Sequence, residues 1–236
     1  MSFKLNLVTD LPTLEQVNTD NGRFYSASDG SIETPYPSVT TVLGADPKKE
    51  EGIRKWRERV GEDEANRVSH VAAQAGTAVH QIMEDWILGQ EPKTKPMPIH
   101  LAKARGLKNF AEIYIDNVML VEGQLFSHEL RTAGTVDLVA EWQGKPAIID
   151  WKTSRYPKKR NYITNYFMQE AAYAVMFEER TGIKIEKLVT LVAYEDGNQM
   201  FVEEPGQWIP EFKKIREMYD TQLQSNFQSQ VAGAVV

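Results

Sequence analysis

At 236 residues with a net charge of −6, the chain suits one large domain, or a domain with a small extension. Its total charge does not point to a polyanion partner, although a clustered basic patch counts for more than the total. The absence of cysteine excludes disulfides, thiolate zinc sites and cysteine-ligated iron–sulfur clusters. No run of about eighteen apolar residues occurs, and Met1–Leu7 lacks the basic-then-apolar layout of a signal peptide, so no membrane partner and a cytoplasmic location (a bacterium or a phage-infected cell) are expected.

Residues 1–20 are weakly patterned. Arg23-Phe24-Tyr25-Ser26 reads as a strand and Ser28-Asp29-Gly30 as a turn, with the chain returning toward Ile32 as a hairpin. After Pro35 and Pro37, Ser38 is placed to cap a short helix over Val39–Leu43 that Gly44 ends. Asp46-Pro47 opens a polar helix to about Val60, carrying Lys48, Lys49, Arg54, Lys55, Arg57 and Arg59 around Trp56. This is either a solvated helix face or a basic surface with an aromatic ring for stacking on a nucleic-acid strand.

Residues 64–88 form the clearest amphipathic helix, with Val71, Ala75, Val79, Ile82, Met83, Trp86 and Ile87 at helical spacing and Gly89 at its end. Gly76 within it costs about 1 kcal/mol relative to Ala and suggests a close backbone approach or a bend. His80 and Glu84, four apart, share a face. A lone helix histidine is more often structural than a ligand. Residues 90–100 read as a loop and 101–116 as a helix. Val118–Leu130 reads as one strand or a bulged pair, with Glu129 a candidate for a site whose register the pattern does not fix.

The stretch Gly134–Thr153 carries the strongest pattern. Val136, Leu138, Ala140 and Trp142 alternate with Thr135, Asp137, Val139 and Glu141, and Ala147, Ile149 and Trp151 alternate with Ile148, Asp150 and Lys152. Gln143-Gly144 is a two-residue hairpin loop in which Gly suits a positive φ. Trp142 then faces Lys145, and Asp137 faces Asp150. A loop at Gly144-Lys145 shifts the register by one pair but keeps both aspartates on one face, which Lys152 shares. Opposed carboxylates repel, and a hard divalent cation such as Mg²⁺ between them relieves the repulsion. Lys152 alongside could steady a hydroxide or a developing oxyanion. The bland alternative is a solvated sheet face with a surface ion pair.

Beyond Thr153, Arg155-Tyr156-Pro157-Lys158-Lys159-Arg160 is the densest positive charge in the chain, either a phosphate-contacting rim or a solvated loop. A helix over 161–181 carries Phe167, Ala171, Ala174, Val175 and Phe177 as candidate core, with Gln169 and Tyr173 on one face. A strand Ile185–Tyr194, a turn at Asp196-Gly197-Asn198 and a return strand Gln199–Val202 follow. A helix from Trp208 to Leu223 precedes a loose tail. The resulting division is an N-terminal hairpin and basic helical extension over 1–63, a core over 64–223 and a tail over 224–236. The fold class is α/β, a mixed sheet around the central hairpin flanked by helices.

Four motifs occur in order: Gly76-Thr77-Ala78-Val79-His80, Gly134-Thr135-Val136-Asp137, Asp150-Trp151-Lys152-Thr153 and Gln169-Glu170-Ala171-Ala172-Tyr173. Together they resemble the PD-(D/E)XK nuclease superfamily in its RecB-nuclease-like branch. Tyr36-Pro37-Ser38-Val39-Thr40-Thr41-Val42-Leu43, followed by Trp56, adds a finer resemblance to exonucleases that maintain mitochondrial genomes and to their phage relatives. The resemblance implies His80, Asp137, Asp150 and the Trp151 carbonyl as ligands of Mg²⁺ or Mn²⁺, and Lys152 as the group that orients or activates the attacking water. Gln169 and Tyr173 would position the substrate. The expected partner is DNA, as single strands or ends, together with replication or recombination proteins. The expected activity is exonucleolytic hydrolysis in replication, recombination, repair or phage DNA processing. A structure-specific or sequence-specific endonuclease of the same fold and a non-catalytic DNA-binding accessory module are the alternatives.

Overall fold

The computed structural model describes residues 3–92 and 94–233, with side chains described through Ser225. In chain order it has β1 (Lys4–Leu5), β2 (Leu14–Thr19), β3 (Gly22–Ala27), β4 (Tyr36–Pro37), α1 (Val39–Val42), α2 (Pro47–Val60) and α3 (Glu62–Ile87). There follow α4 (Pro98–Tyr114), β5 (Ile115–Ser127), β6 (Thr132–Trp142), β7 (Lys145–Thr153), α5 (Thr164–Thr181), β8 (Lys187–Tyr194), β9 (Gly197–Glu203) and α6 (Pro205–Gly233).

Six strands form one mixed sheet in the order β1-β5-β6-β7-β8-β9. The β7–β8 pair is parallel, as its α5 crossover requires, while β5, β6 and β7 run as antiparallel neighbours. Alternation along β6 and β7 separates two cores. Leu138, Ala140, Ala147, Ile149 and Trp151 pack with α3 and α4 through Val79, Met83 and Leu107. Val139 and Ile148 pack on the other side with Phe167, Phe177 and Phe212 of α5 and α6, and with Val39 and Val42 of α1. With helices on both faces, the central strands are buried nearly throughout. A mixed sheet flanked by helices is the architecture expected from the pattern, and it matches the PD-(D/E)XK nuclease fold.

The central hairpin turns at Gln143-Gly144, both with positive φ (53° and 74°), the signature of a type I′ turn. Trp142 pairs with Lys145 and the ladder continues to Leu138↔Ile149. Ser38 accepts a hydrogen bond from the Thr41 amide at 3.0 Å, so the predicted cap forms, and Asp46 likewise caps α2 by accepting from the Lys48 amide at 2.9 Å.

Four expectations need correction. The strand at Arg23–Ser26 and the turn at Ser28-Asp29-Gly30 form as read, the Gly30 amide donating to the Ala27 carbonyl at 3.1 Å, but the returning strand is β4 at Tyr36–Pro37 rather than a segment at Ile32, and a further hairpin joins β2 to β3 around Asp20-Asn21. In β2 only Leu14 is buried, which leaves no alternation to read. Val71, assigned to the apolar face of α3, is 52% exposed, because the core-facing stripe of α3 runs from Val79 to Ile87 and ahead of it only Ala65 is buried. Gly76 admits no close backbone: the nearest atom to a Cβ there would be Thr153 Oγ1, at 4.0 Å. The segment read as a tail continues α6 to Gly233; residues 234–236 lie outside the described residues.

Candidate active site

The β6–β7 ladder stops one step before Asp137 and Asp150. At that step Asp137 Oδ2 accepts the Trp151 amide at 2.9 Å, a side chain doing what a facing backbone carbonyl does elsewhere. Both aspartates are buried. Lys152, two residues on, ion-pairs with Asp150 and lies over the Tyr166 ring, Nζ 5.0 Å from its centroid. From α3, His80 Nε2 donates to the Trp151 carbonyl at 2.7 Å, which aims Nδ1 at Asp137 Oδ1 (3.4 Å) and Glu122 Oε1 (3.7 Å). The four residues singled out as His80, Asp137, Asp150 and Lys152 are therefore in one place, drawn from three elements.

Charge and burial oppose one another here. Burial raises the Asp150 pKa to about 6, with Lys152 pulling it down and Asp137 pushing it up. Burial also opposes ionisation of Asp137, yet His80, Lys152 and the Trp151 amide hold its pKa below the usual value. Burial disfavours the His80 imidazolium, but Asp137, Glu122 and Asp150 outweigh it and lift its pKa to about 11. Lys152 is likewise lifted by Asp150 and Asp137 against its own burial. Without a divalent cation, the imidazolium and the ammonium carry the positive charge that the acids need.

Gln169 and Tyr173 also reach the site. Tyr173 is buried, and burial together with Asp137 and Asp150 raises its pKa, with Gln169 beside it acting the other way. Its ring explains Gly134: a Cβ there would lie 2.9 Å from Tyr173 Cε1 and Oη, closer than real contacts allow. Glu84 is half-buried and accepts from Gln81 Nε2 at 2.9 Å on the same turn of α3.

Other candidates stand elsewhere. Glu129 does not join the site but pairs with Lys213 of α6 at 2.6 Å. Arg160 makes two 2.6 Å bonds to Glu203 and lies over Phe167 and Trp208, so its charge is committed to holding the loop against β9 and α6. Arg155 lies within 3.9 Å of Glu195, whereas Lys158 and Lys159 have no ion pair among the described residues. On α2, Arg54 and Lys55 pair with Glu51, Arg54 also with Glu58, and Arg57 with Glu62, which neutralises much of the helix. Trp56 is half-buried there.

Two residues of the site escaped the sequence reading of roles. Glu122 has φ 44° and no motif around it beyond an acid inside an apolar strand. Glu170, quoted only as filler between Gln169 and Tyr173, is fully buried and accepts from Thr190 Oγ1. Burial and the nearby Asp150 hold its pKa well above the usual carboxylate value.

A sheet and helices of this kind, with an Asp, an Asp-x-Lys and a helix histidine meeting at the end of a hairpin ladder, define a nuclease-like site. The profile of the PD-(D/E)XK nuclease superfamily matches residues 98–233, more than half of the chain, and the chain belongs to that superfamily. It is similar to mitochondrial genome maintenance exonuclease 1 of Homo sapiens, 30% identical over 175 residues, covering 69% of this chain and 50% of the relative. The Mus musculus protein of the same name is 31% identical over 177 residues, covering 69% and 51%, and that of Xenopus tropicalis 29% identical over 175 residues, covering 69% and 49%. The chain thus spans about half the length of the curated relatives it matches. Among the described residues no helix is long and apolar enough to cross a membrane.

Proposed function

We propose that the protein is a divalent-metal-dependent deoxyribonuclease that digests single-stranded DNA from its ends, in replication, recombination, repair or phage DNA processing. The observation that carries this reading is the pair of buried aspartates at the end of the β6–β7 ladder with Lys152 beside them. Two buried like charges are costly, and a structural role does not call for them.

The donor set fits Mg²⁺ or Mn²⁺: carboxylate oxygens, a backbone carbonyl and one imidazole, with no thiolate. His80, Asp137 and Asp150 would hold the ion, and the Trp151 carbonyl retains a second lone pair for it beside its bond to His80. A bound ion of this kind activates a water, polarises the scissile phosphate and stabilises the leaving 3′ oxygen. Lys152 orients the attacking water and offsets charge that develops on the phosphate oxygens. Attack on phosphorus breaks the bond to the 3′ oxygen, leaving a 3′ hydroxyl and a 5′ phosphate. Gln169 and Tyr173 position the nucleotide next to the site, and Lys158 and Lys159 contact phosphates on the approach, with Arg155 and Trp56 further along. Replication or recombination proteins that generate single strands are candidate partners, in the cytoplasm of a bacterium or phage-infected cell.

A division into an N-terminal extension and a nuclease core belongs to the same reading, with α2 and the first half of α3 forming an arm that meets the substrate and α6 running on past 223 to Gly233. Labelled single-stranded oligonucleotides blocked at the 5′ end, the 3′ end or both, and a circular single strand, test the mode of attack. Digestion needing one free end supports an exonuclease; cleavage of the circle would favour an endonuclease.

A further inference from the structure

The β5–β6 ladder pairs Val121 with Leu138 and Gly123 with Val136, so Glu122 and Asp137 occupy the same step. Asp150 occupies the corresponding step of β7. Three neighbouring strands thus bring Glu122, Asp137 and Asp150 into one row across the sheet. Repulsion along such a row is destabilising, and the chain has nonetheless bent its backbone to make it. Glu122 alone on β5 has a left-handed conformation, φ 44°, which side-chain-bearing residues adopt uncommonly. The bend carries Oε1 to 3.7 Å from His80 Nδ1.

Some polar atoms of the site are already engaged elsewhere. Asp137 Oδ2 takes the Trp151 amide, His80 Nε2 is held by the Trp151 carbonyl, and Asp150 Oδ2 faces Lys152. Glu122 Oε1, Asp137 Oδ1 and His80 Nδ1 face one another instead, and these three residues offer donor atoms all within 4.8 Å. A metal-binding imidazole needs its other nitrogen fixed by a hydrogen bond, which is what the Trp151 carbonyl does for His80.

We propose that Glu122 is a further ligand of the divalent cation, closing the site on the β5 side together with His80 and Asp137. This rests on the metal-dependent reading above. The test uses the metal-stripped full chain, with Mn²⁺ titrated calorimetrically into wild type, Glu122→Gln and Glu122→Gly, and the Tm of each measured in EDTA. Gln keeps the shape and removes the charge; Gly accepts the positive φ without a side chain. Both variants are expected to bind Mn²⁺ at least about 10-fold more weakly, since loss of even an outer partner of a metal ligand costs that much. The EDTA Tm of Glu122→Gln should equal or exceed that of wild type, because a repelling carboxylate is gone. Wild-type affinity in both variants overturns the proposal and leaves the metal-dependent reading standing. Weaker binding with a lowered EDTA Tm in both variants overturns it too, assigning Glu122 to the fold. If wild type itself takes up no Mn²⁺, the metal-dependent reading falls first, and this proposal with it.

Discussion

At Asp150 burial and the proposed metal-binding role are directly opposed. Its pKa of about 6 in the folded chain exceeds the ordinary 3.8, so folding penalises the ionised form. The penalty is absent below pH 3.8, grows as pH rises, and is complete above about 6, at roughly 3 kcal/mol for this fully buried group. Asp150→Asn lacks it. In EDTA, urea unfolding should therefore show the variant gaining about 3 kcal/mol on wild type between about pH 4 and pH 7. A difference that does not change with pH would contradict the burial argument. Lys152 makes the complementary case. Lys152→Ala should keep Mn²⁺ affinity at or above wild type, because the ammonium that occupies Asp150 is removed. The turnover rate should fall by about 10²–10³, the usual loss for one group that stabilises transition-state charge. Calorimetry beside single-turnover kinetics separates the two, and an equal loss of affinity and rate would count against this division of roles.

At the scale of elements, the loop after β7 divides into charges that hold it and charges that are free. Arg160 is locked to Glu203, while Lys158 and Lys159 have no ion pair among the described residues. Each phosphate contact to a single strand contributes about 0.7 to the slope of log K against log salt. Lys158→Ala with Lys159→Ala should flatten that slope by about 1.4 and weaken binding at low salt. Arg160→Ala should lower the Tm and leave the slope nearly unchanged. Fluorescence anisotropy across a salt series checks both, and an unchanged slope in the double variant would make the loop a solvated one. The elements also explain what the sequence made readable. The hairpin of β6 and β7 was legible because strict alternation and a two-residue loop leave little freedom in register. Glu122 was not, because register shifts between Ile115, Val118 and Leu120 break the count along β5 before it reaches the site. Glu129 was chosen in its place for the same reason. Strand β2 hid because five of its six residues are exposed. The ion pairs of Arg160 and α2 are long-range or rotamer-dependent, so a count of basic residues overstated the free positive charge.

For the whole molecule, a net charge of −6 and a buried acidic row must coexist with the polyanionic substrate proposed above. The fold separates the two by position: the acids lie at the end of the hairpin ladder under α3 and α5, and Lys158 and Lys159 lie on the loop that leaves β7. The helices on both faces that bury the central strands also keep water from relaxing the acids, which makes a cation the natural complement of the site. Superfamily membership and the likeness to exonuclease-named relatives are consistent with that arrangement, over the half of those relatives that the chain spans. The most direct test compares wild type and Asp150→Asn on an end-labelled linear single-stranded oligonucleotide, with both proteins saturated with DNA, in EDTA and in saturating Mg²⁺. Wild type should cleave only with Mg²⁺, and the variant should bind the strand but not cleave it under either condition; cleavage by wild type in EDTA, or substantial Mg²⁺-dependent turnover by Asp150→Asn, would contradict a metal site built on these aspartates.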